Sequence, residues 1–370
     1  MIDKRWALGA LVFLSLILMT GCAVADDPAD ERPAPDPGDR PAGQLLETPN
    51  DPQPVELPED AGPHDRLTEW WYYTGHVEDA NSNLYGFEFV IFQALRGEFP
   101  PIYASHFAIT DTTRGEFHYA ERVESFTPGS GEDPLDLDVG GWTLQGGDGT
   151  DRIVADMDGY ELEIELNAAK PPVLHEGNGF FEFAPGSASY YYSRTRMDAE
   201  GTLTIDGDEL DVTGSAWFDQ QWGDFLVLGG EGWDWFSIQL DNNQELMAWQ
   251  SHDGEGTILD GNATIVREDG EAIDVPSEAL SIEPLDEWES HQTGGVYPMV
   301  WSIRVESHDI DLIVEPVMED QELITLESTG VVYWEGMVRI SGDWEGAGVE
   351  GLGYVELTGY AKVEAEGFAP

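Results

Sequence analysis

Short alternating apolar stretches, cut at intervals by Asp-Gly and Asn-rich turns, set the tightest limit on what this chain can fold into. Tyr85, Phe87, Phe89 and Ile91 fall on one face of a strand, as do Leu162, Ile164 and Leu166, Leu203 with Ile205, and Leu312 with Val314. Side chains two apart share a strand face, so each stretch has an apolar side to bury. Asp158-Gly159, Asp206-Gly207, Asp241-Asn242-Asn243 and Asp269-Gly270 divide the stretches with residues that accept tight-turn geometry. No long amphipathic helical period interrupts the series. The expected class is all-β, an antiparallel sandwich or barrel.

The pattern occurs twice. Glu69-Trp70-Trp71-Tyr72-Tyr73-Thr74-Gly75-His76 opens one segment, and Gly232-Trp233-Asp234-Trp235-Phe236-Ser237 opens another of the same layout. Each aromatic ring brings ~150–250 Å² of surface to bury, so both runs should become walls or cores. Tyr190-Tyr191-Tyr192-Ser193 corresponds to Val332-Tyr333-Trp334-Glu335-Gly336, and Val212-Thr213-Gly214-Ser215-Ala216 to Leu357-Thr358-Gly359-Tyr360-Ala361. The halves are expected to span 64–217 and 218–370. About eight strands per half suits a closed barrel that holds one small ligand.

Charge excludes some partners. With 74 acidic against 16 basic residues the net charge is −58, so nucleic acid is not an expected partner. The acids are spread through apolar segments, which points to a halophilic host more than to a cation store. At ~1 M salt the Debye length falls to ~3 Å and self-repulsion is screened. The fold should therefore weaken in dilute buffer, and a melting temperature equal in dilute and molar KCl would refute this.

Lys4 and Arg5 precede an apolar run from Trp6 to Met19, and the only cysteine, Cys22, follows at once. Residues 1–21 look like a lipoprotein signal peptide, with Leu18-Met19-Thr20-Gly21-Cys22 similar to a lipobox and Cys22 the lipidation site. The rival is simple secretion, with cleavage after Ala23-Val24-Ala25. Residues 22–63 are rich in Pro and Asp, the composition of a disordered tether. The expected location is the outer face of the cytoplasmic membrane or the cell envelope, held by a lipid anchor. A membrane transporter is a possible partner for a body presented in this way.

No G-x-S-x-G elbow, Walker A or H-E-x-x-H motif is present, and the eight His residues include no close pair spaced as metal ligands. Neither a metal nor a cofactor is expected. Acids set among aromatics are the remaining candidates: Glu69 beside Trp70 and Trp71, Asp219 in Trp217-Phe218-Asp219-Gln220-Gln221-Trp222, and Asp234 between Trp233 and Trp235, with His106 near Phe107. A carboxyl buried against indoles has its pKa raised and can donate a proton, and ring faces stabilise a nearby cation. Each could equally be a structural acid that caps a strand end.

These runs, with Tyr85-Gly86-Phe87-Glu88-Phe89, His106-Phe107-Ala108-Ile109-Thr110-Asp111, Tyr191-Tyr192-Ser193, Tyr297-Pro298, Tyr333-Trp334-Glu335-Gly336 and Glu356-Leu357-Thr358-Gly359-Tyr360, resemble the AttH-type lipocalin-like proteins across residues 64–363. That family is related to carotenoid 1,2-hydratases (hydroxyneurosporene synthases) and often carries the label of secreted hydrolase. The resemblance implies two consecutive lipocalin-like β-barrels and an apolar ligand such as an isoprenoid or lipid. Trp70, Trp71, Tyr72, Trp217, Trp222, Trp233 and Trp235 are the expected ligand-binding wall. The alternative it implies is a cofactor-free lyase or isomerase of the hydratase type, with Asp219 as general acid and His106 or Glu69 as its partner. A His follows that Asp in the hydratases, and here the position is Gln220.

Overall fold

The computed structural model describes residues 52–97, 99–126, 134–184, 187–225 and 231–361. The signal segment 1–21, lipidation at Cys22 and the first part of the expected tether lie outside the described residues.

Two antiparallel sheets hold all the strands of the described residues. The first holds β1 (Thr68–Asp79), β2 (Leu84–Ala94), β3 (Ile102–Asp111), β4 (Glu116–Ser125), β5 (Leu135–Val139), β6 (Trp142–Gly146), β7 (Thr150–Met157) and β8 (Tyr160–Ala168). The short β9 (Val173–Leu174) and β10 (Phe180–Ala184) and the long β11 (Ser187–Ile205) and β12 (Asp208–Gly223) complete it. Their order is β4-β3-β2-β1-β12-β11-β8-β7-β6-β5. The ends of this path meet. Arg122 of β4 donates to the Gly140 carbonyl just after β5 at 2.6 Å, and the Gly140 amide donates to Glu124 at 2.8 Å. The first sheet is thus a nearly closed barrel.

The second sheet repeats the plan. It uses β13 (Glu231–Leu240), β14 (Glu245–Asp253), β15 (Ile258–Val266), β16 (Ala272–Pro276), β17 (Leu280–Glu289), β18 (Val296–Val305), β19 (Ile310–Pro316), β20 (Glu322–Thr325), β21 (Val331–Trp344) and β22 (Ala347–Thr358). The order β16-β15-β14-β13-β22-β21-β19-β18-β17 places β13 and β14 where β1 and β2 stand. The two aromatic runs therefore start the same hairpin of each sheet. Both hairpins turn through a residue of positive φ, Ser82 at 59° and Asn243 at 58°.

Burial separates strands that face water from strands that do not. β5 and β8 alternate buried and exposed residues, as expected where one side meets solvent. In β1, β2, β3 and the end of β12 nearly every residue is buried, because the second sheet covers their outer face. Trp71, Tyr73, Phe89 and Phe107 fill the first barrel, and Phe236, Trp301, Trp334 and Val355 form the core of the second sheet. Tyr72, Val90, Tyr191, Trp217, Trp235 and Met247 form a third apolar cluster between the two sheets.

Two expectations need correction. The tether does not extend to residue 63 as free chain: Val55 is buried with its amide bonded to the Asn178 carbonyl at 3.0 Å, and the Trp71 indole donates to the Ala61 carbonyl at 3.0 Å. Val55, Leu57 and Ala61 give this Pro-rich stretch enough apolar surface to pack on the barrel. The Thr-Gly pairs are not equivalent either. Thr213 lies opposite Glu78 near the far end of β1, whereas Thr358 bonds the Trp233 amide at the start of β13. Gly214 is required by close approach to the His76 carbonyl, and Gly359 by a φ of 83° at a strand end, so the same dipeptide answers different demands.

Candidate active site between the sheets

Strand register brings the chemistry together. On the outer face of the first sheet Ser193 (β11), Asp219 (β12), Tyr72 (β1), Val90 (β2) and His106 (β3) stand side by side. On the facing side of the second, Glu335 (β21), Glu356 (β22), Trp235 (β13) and Trp249 (β14) form the matching row. Residues directly opposite on paired strands share a face, so each row is one line of touching side chains. Tyr72 bridges the rows by donating to Glu335 Oε1 at 2.7 Å, and Trp235 packs edge-on against Tyr72 and Trp217. Trp235 also donates to the Tyr191 hydroxyl at 3.2 Å.

Four carboxyls meet this apolar interface, in unequal surroundings. Asp219 is buried but well supplied: Tyr191 donates at 2.7 Å, Trp217 at 2.8 Å, and Ser193 also donates. Burial raises its pKa and the three donors hold the rise to about 6. Glu88, two residues before Val90 on β2, accepts from Tyr333 at 2.9 Å, and burial pushes it up to about 8. Glu335 is raised well above the carboxylate range by burial and by the neighbouring Glu88 and Glu356. The second oxygens of Glu88 and Glu335 are buried without a hydrogen-bond partner among the described residues. Glu356 is half-buried, accepts from Trp233 at 3.1 Å and is lifted to about 7 by burial.

Of the expected residues, the structure gathers Asp219, His106, Trp70, Tyr72, Trp217, Trp233 and Trp235 on the facing sides. Trp70, Phe92, Trp233 and Trp249 are half-buried at the border of the cluster. Glu69, Trp71 and Trp222 point the other way, into the first barrel, because they alternate with Trp70 and Gln221 along their strands. Glu69 there accepts from Gln220 at 2.8 Å and pairs with the His64 ring at 2.8 Å. Burial opposes charge on His64, but Asp60 and Glu69 outweigh it and raise its pKa to about 9. Glu69 therefore cannot partner Asp219 across the site. Gln220, in the position following Asp219, also faces inward and does not enter the site.

Glu88, Glu335 and Glu356 are not among the site residues that the sequence points to. One signal was present for Glu88: β2 reads Gly86-x-Glu88-x-Val90-x-Phe92 on its second face, apolar but for the acid. A strand apolar on both faces has no solvent side in which to place a carboxylate.

Ser193 and His175 are bonded at 2.8 Å, yet they do not form a hydrolytic triad. The acid contacts the serine rather than the imidazole, and the other His175 nitrogen meets Thr264 at 3.2 Å. A separate cavity of about 210 Å³ is lined by Gln250, Ile258, Leu259, Asp260 and Leu280 and by none of these four acids.

The fold and site define a two-sheet, lipocalin-like all-β protein with buried acids between its sheets. The chain belongs to the AttH-like family, which it matches over residues 48–360. An AttH protein of Nitrosomonas europaea of known structure is 29% identical, with a TM-score of 0.77, and the match covers 86% of this chain and all of that one. Kievitone hydratase of Nectria haematococca shares the fold at 22% identity and a TM-score of 0.66, over 86% of this chain and 97% of its own. Dehydratase asqC of Emericella nidulans is 21% identical over 215 residues, which is 56% of this chain and 61% of that protein's length. This match thus spans about three-fifths of the curated relative.

Proposed function

We propose that this protein is a cofactor-free hydro-lyase, adding water to or removing it from an apolar, isoprenoid-like substrate between the two sheets. The observation that carries this is the unequal setting of neighbouring buried carboxyls: Asp219 has three donors, whereas Glu88 and Glu335 each have one donor and one oxygen without a partner among the described residues. Burial pushes all three up, Asp219 only to about 6, Glu88 to about 8 and Glu335 well above the carboxylate range, so Asp219 gives up its proton most readily. Carboxyls whose surroundings drive their pKa values apart supply an acid and a base at one pH. The Glu88–Glu335 pair, each with an oxygen that has no other partner among the described residues, protonates the double bond. The faces of Tyr72, Trp217 and Trp235 stabilise the cation that forms, and Asp219 takes a proton from the attacking water. In the dehydrating direction the same groups exchange roles. Asp219 thus acts as base rather than as the general acid expected from the sequence. The names of the hydratase and dehydratase relatives support this class of reaction.

The second reading is transport or storage of an apolar molecule, favoured by the half-buried rim of Trp70, Phe92, Trp233 and Trp249. In either case the lipobox-like sequence at Cys22 supports an exported, anchored protein. Incubation with lycopene or kievitone in ¹⁸O-water separates the two. A product heavier by one labelled water, lost in Glu335→Gln, supports the hydro-lyase. Quenching of Trp fluorescence without product supports a carrier and overturns the enzyme.

A further inference from the structure

Two residues at the site, His106 and His175, play no part in the chemistry above, yet both are fully enclosed and bonded through both ring nitrogens. His106 Nδ1 meets the Tyr333 hydroxyl at 2.7 Å and Nε2 meets Ser328 Oγ at 2.9 Å. Tyr333 continues to Glu88 at 2.9 Å, and Ser328 continues to Glu121, which is half-buried on β4. His175 Nε2 meets Ser193 Oγ at 2.8 Å and Nδ1 meets Thr264 Oγ1 at 3.2 Å. Ser193 continues to Asp219, and Thr264 lies directly opposite the exposed Asp274 on the neighbouring strand, on the same face. Each half of the site thus carries a buried carboxyl, hydroxyl, imidazole and hydroxyl in series, with an outer carboxyl bonded to the last hydroxyl in the first series and placed opposite it on the paired strand in the second.

We infer that these two series are proton relays, Glu88–Tyr333–His106–Ser328–Glu121 loading the acid and Asp219–Ser193–His175–Thr264–Asp274 unloading the base. This rests on the hydro-lyase reading and deepens it, since water addition consumes one proton at the acid and leaves one on the base. The bonding permits it. A histidine held for structure has one nitrogen fixed by a carboxylate or carbonyl, which selects a tautomer. Here both nitrogens face hydroxyls, which donate and accept alike, so both neutral tautomers are satisfied. Burial holds both imidazoles far below their usual pKa, so protons pass by tautomer exchange without an imidazolium.

The steps balance. With Glu121 protonated and hydrogen on His106 Nδ1, Glu121 gives its proton to Ser328 and Ser328 gives its own to Nε2. Nδ1 then gives its proton to Tyr333, and Tyr333 gives its own to Glu88. The product has Glu88 neutral, Glu121 ionised and hydrogen on Nε2, with every contact retained. The second series works in reverse, from Asp219 to Asp274.

The test needs no substrate. The carboxylic C=O infrared band lost in Glu88→Gln identifies Glu88, and the band that appears below pH 6 and is lost in Asp219→Asn identifies Asp219. Their shift after transfer to D₂O gives the exchange rates. Ser328→Ala should slow exchange at Glu88 on the order of tenfold or more and spare Asp219, and Thr264→Val should do the opposite. Ser328→Thr keeps the hydroxyl and should exchange like the native protein. Amide exchange by mass spectrometry, unchanged across the set, shows that opening of the sheets is not the cause. Equal rates in all variants, Ser328→Thr as slow as Ser328→Ala, or no band assignable to Glu88, would overturn the relays. Crossed slowing in a protein that hydrates nothing would keep the relays and refute only the enzyme.

Discussion

At matching register positions the first sheet sets a hydroxyl beside a carboxyl, Ser193 against Asp219, while the second sets two carboxyls side by side, Glu335 against Glu356. The partners on the next strand differ as well, Tyr72 in the first and Trp235 in the second. The consequence is electrostatic. Three donors hold Asp219 at about 6 despite burial, whereas Glu335 has one donor and two acidic neighbours and is driven well above the carboxylate range. A duplicated scaffold thus yields two dissimilar carboxyls, and the difference lies in a few side chains on equivalent strands. Placed face to face across one apolar layer, the two unlike copies form a site that neither sheet has alone.

The comparison breaks most directly by removing either side of it. Asp219→Asn and Glu335→Gln should each cut turnover by roughly 10²–10⁴, the usual contribution of a general acid or base. In the native protein the rate should rise through Asp219's pKa of about 6 and fall as Glu88, at about 8, loses its proton. Initial rates of product formation across pH check both, and a flat profile would remove the acid–base assignment.

Making the first half like the second should be costly. Ser193→Glu sets an extra carboxyl against Asp219 and takes away one of its donors, and the buried like charges should cost about 2–4 kcal/mol, read as a lower urea midpoint. The reverse change relieves a burden with a definite pH sign. The neutral form of Glu88 is favoured in the folded state, so its contribution is complete below the unfolded value of 4.5 and is lost as pH rises toward about 8. Glu88→Gln and Glu335→Gln should therefore be more stable than the native protein at pH 9 by roughly 1–3 kcal/mol, and their melting temperatures should vary less with pH. Equal slopes would show that these acids are already ionised in the fold.

A smaller change sharpens the contrast. Tyr72→Phe removes the one donor to Glu335 among the described residues, a bond that favours the ionised form. It should raise the pKa of Glu335, read as a carboxylic C=O infrared band that persists to higher pH, and cost about 1 kcal/mol of stability. A band lost at lower pH would mean that Tyr72 serves the neutral acid instead.

Much of the scaffold was legible before the structure was known. Period-two alternation and Asp-Gly turns report local backbone geometry, and the aromatic runs at 69–76 and 232–237 mark the same hairpin in each sheet. The correspondence of Tyr191 with Tyr333 also held, since Tyr191 lies opposite Gln221 and Tyr333 opposite Thr358 on equivalent strands. The Thr-Gly match failed because a dipeptide of turn-prone residues recurs without a shared position. Glu69 adjoins tryptophans in the chain, but strand neighbours point to opposite faces, and its own face is the barrel interior.

By itself the sequence determined the strands, their twofold repetition and the presence of acids among aromatics, because each follows from residues a few positions apart. Only the tertiary structure decided that Asp219, Glu88, Glu335 and Glu356 share one buried layer, since they meet through strand register and sheet packing across up to 268 positions of chain. It also decided their protonation, because a carboxyl's pKa is set by the water it loses and the donors it gains, and both come from the opposing sheet as much as from its own strand.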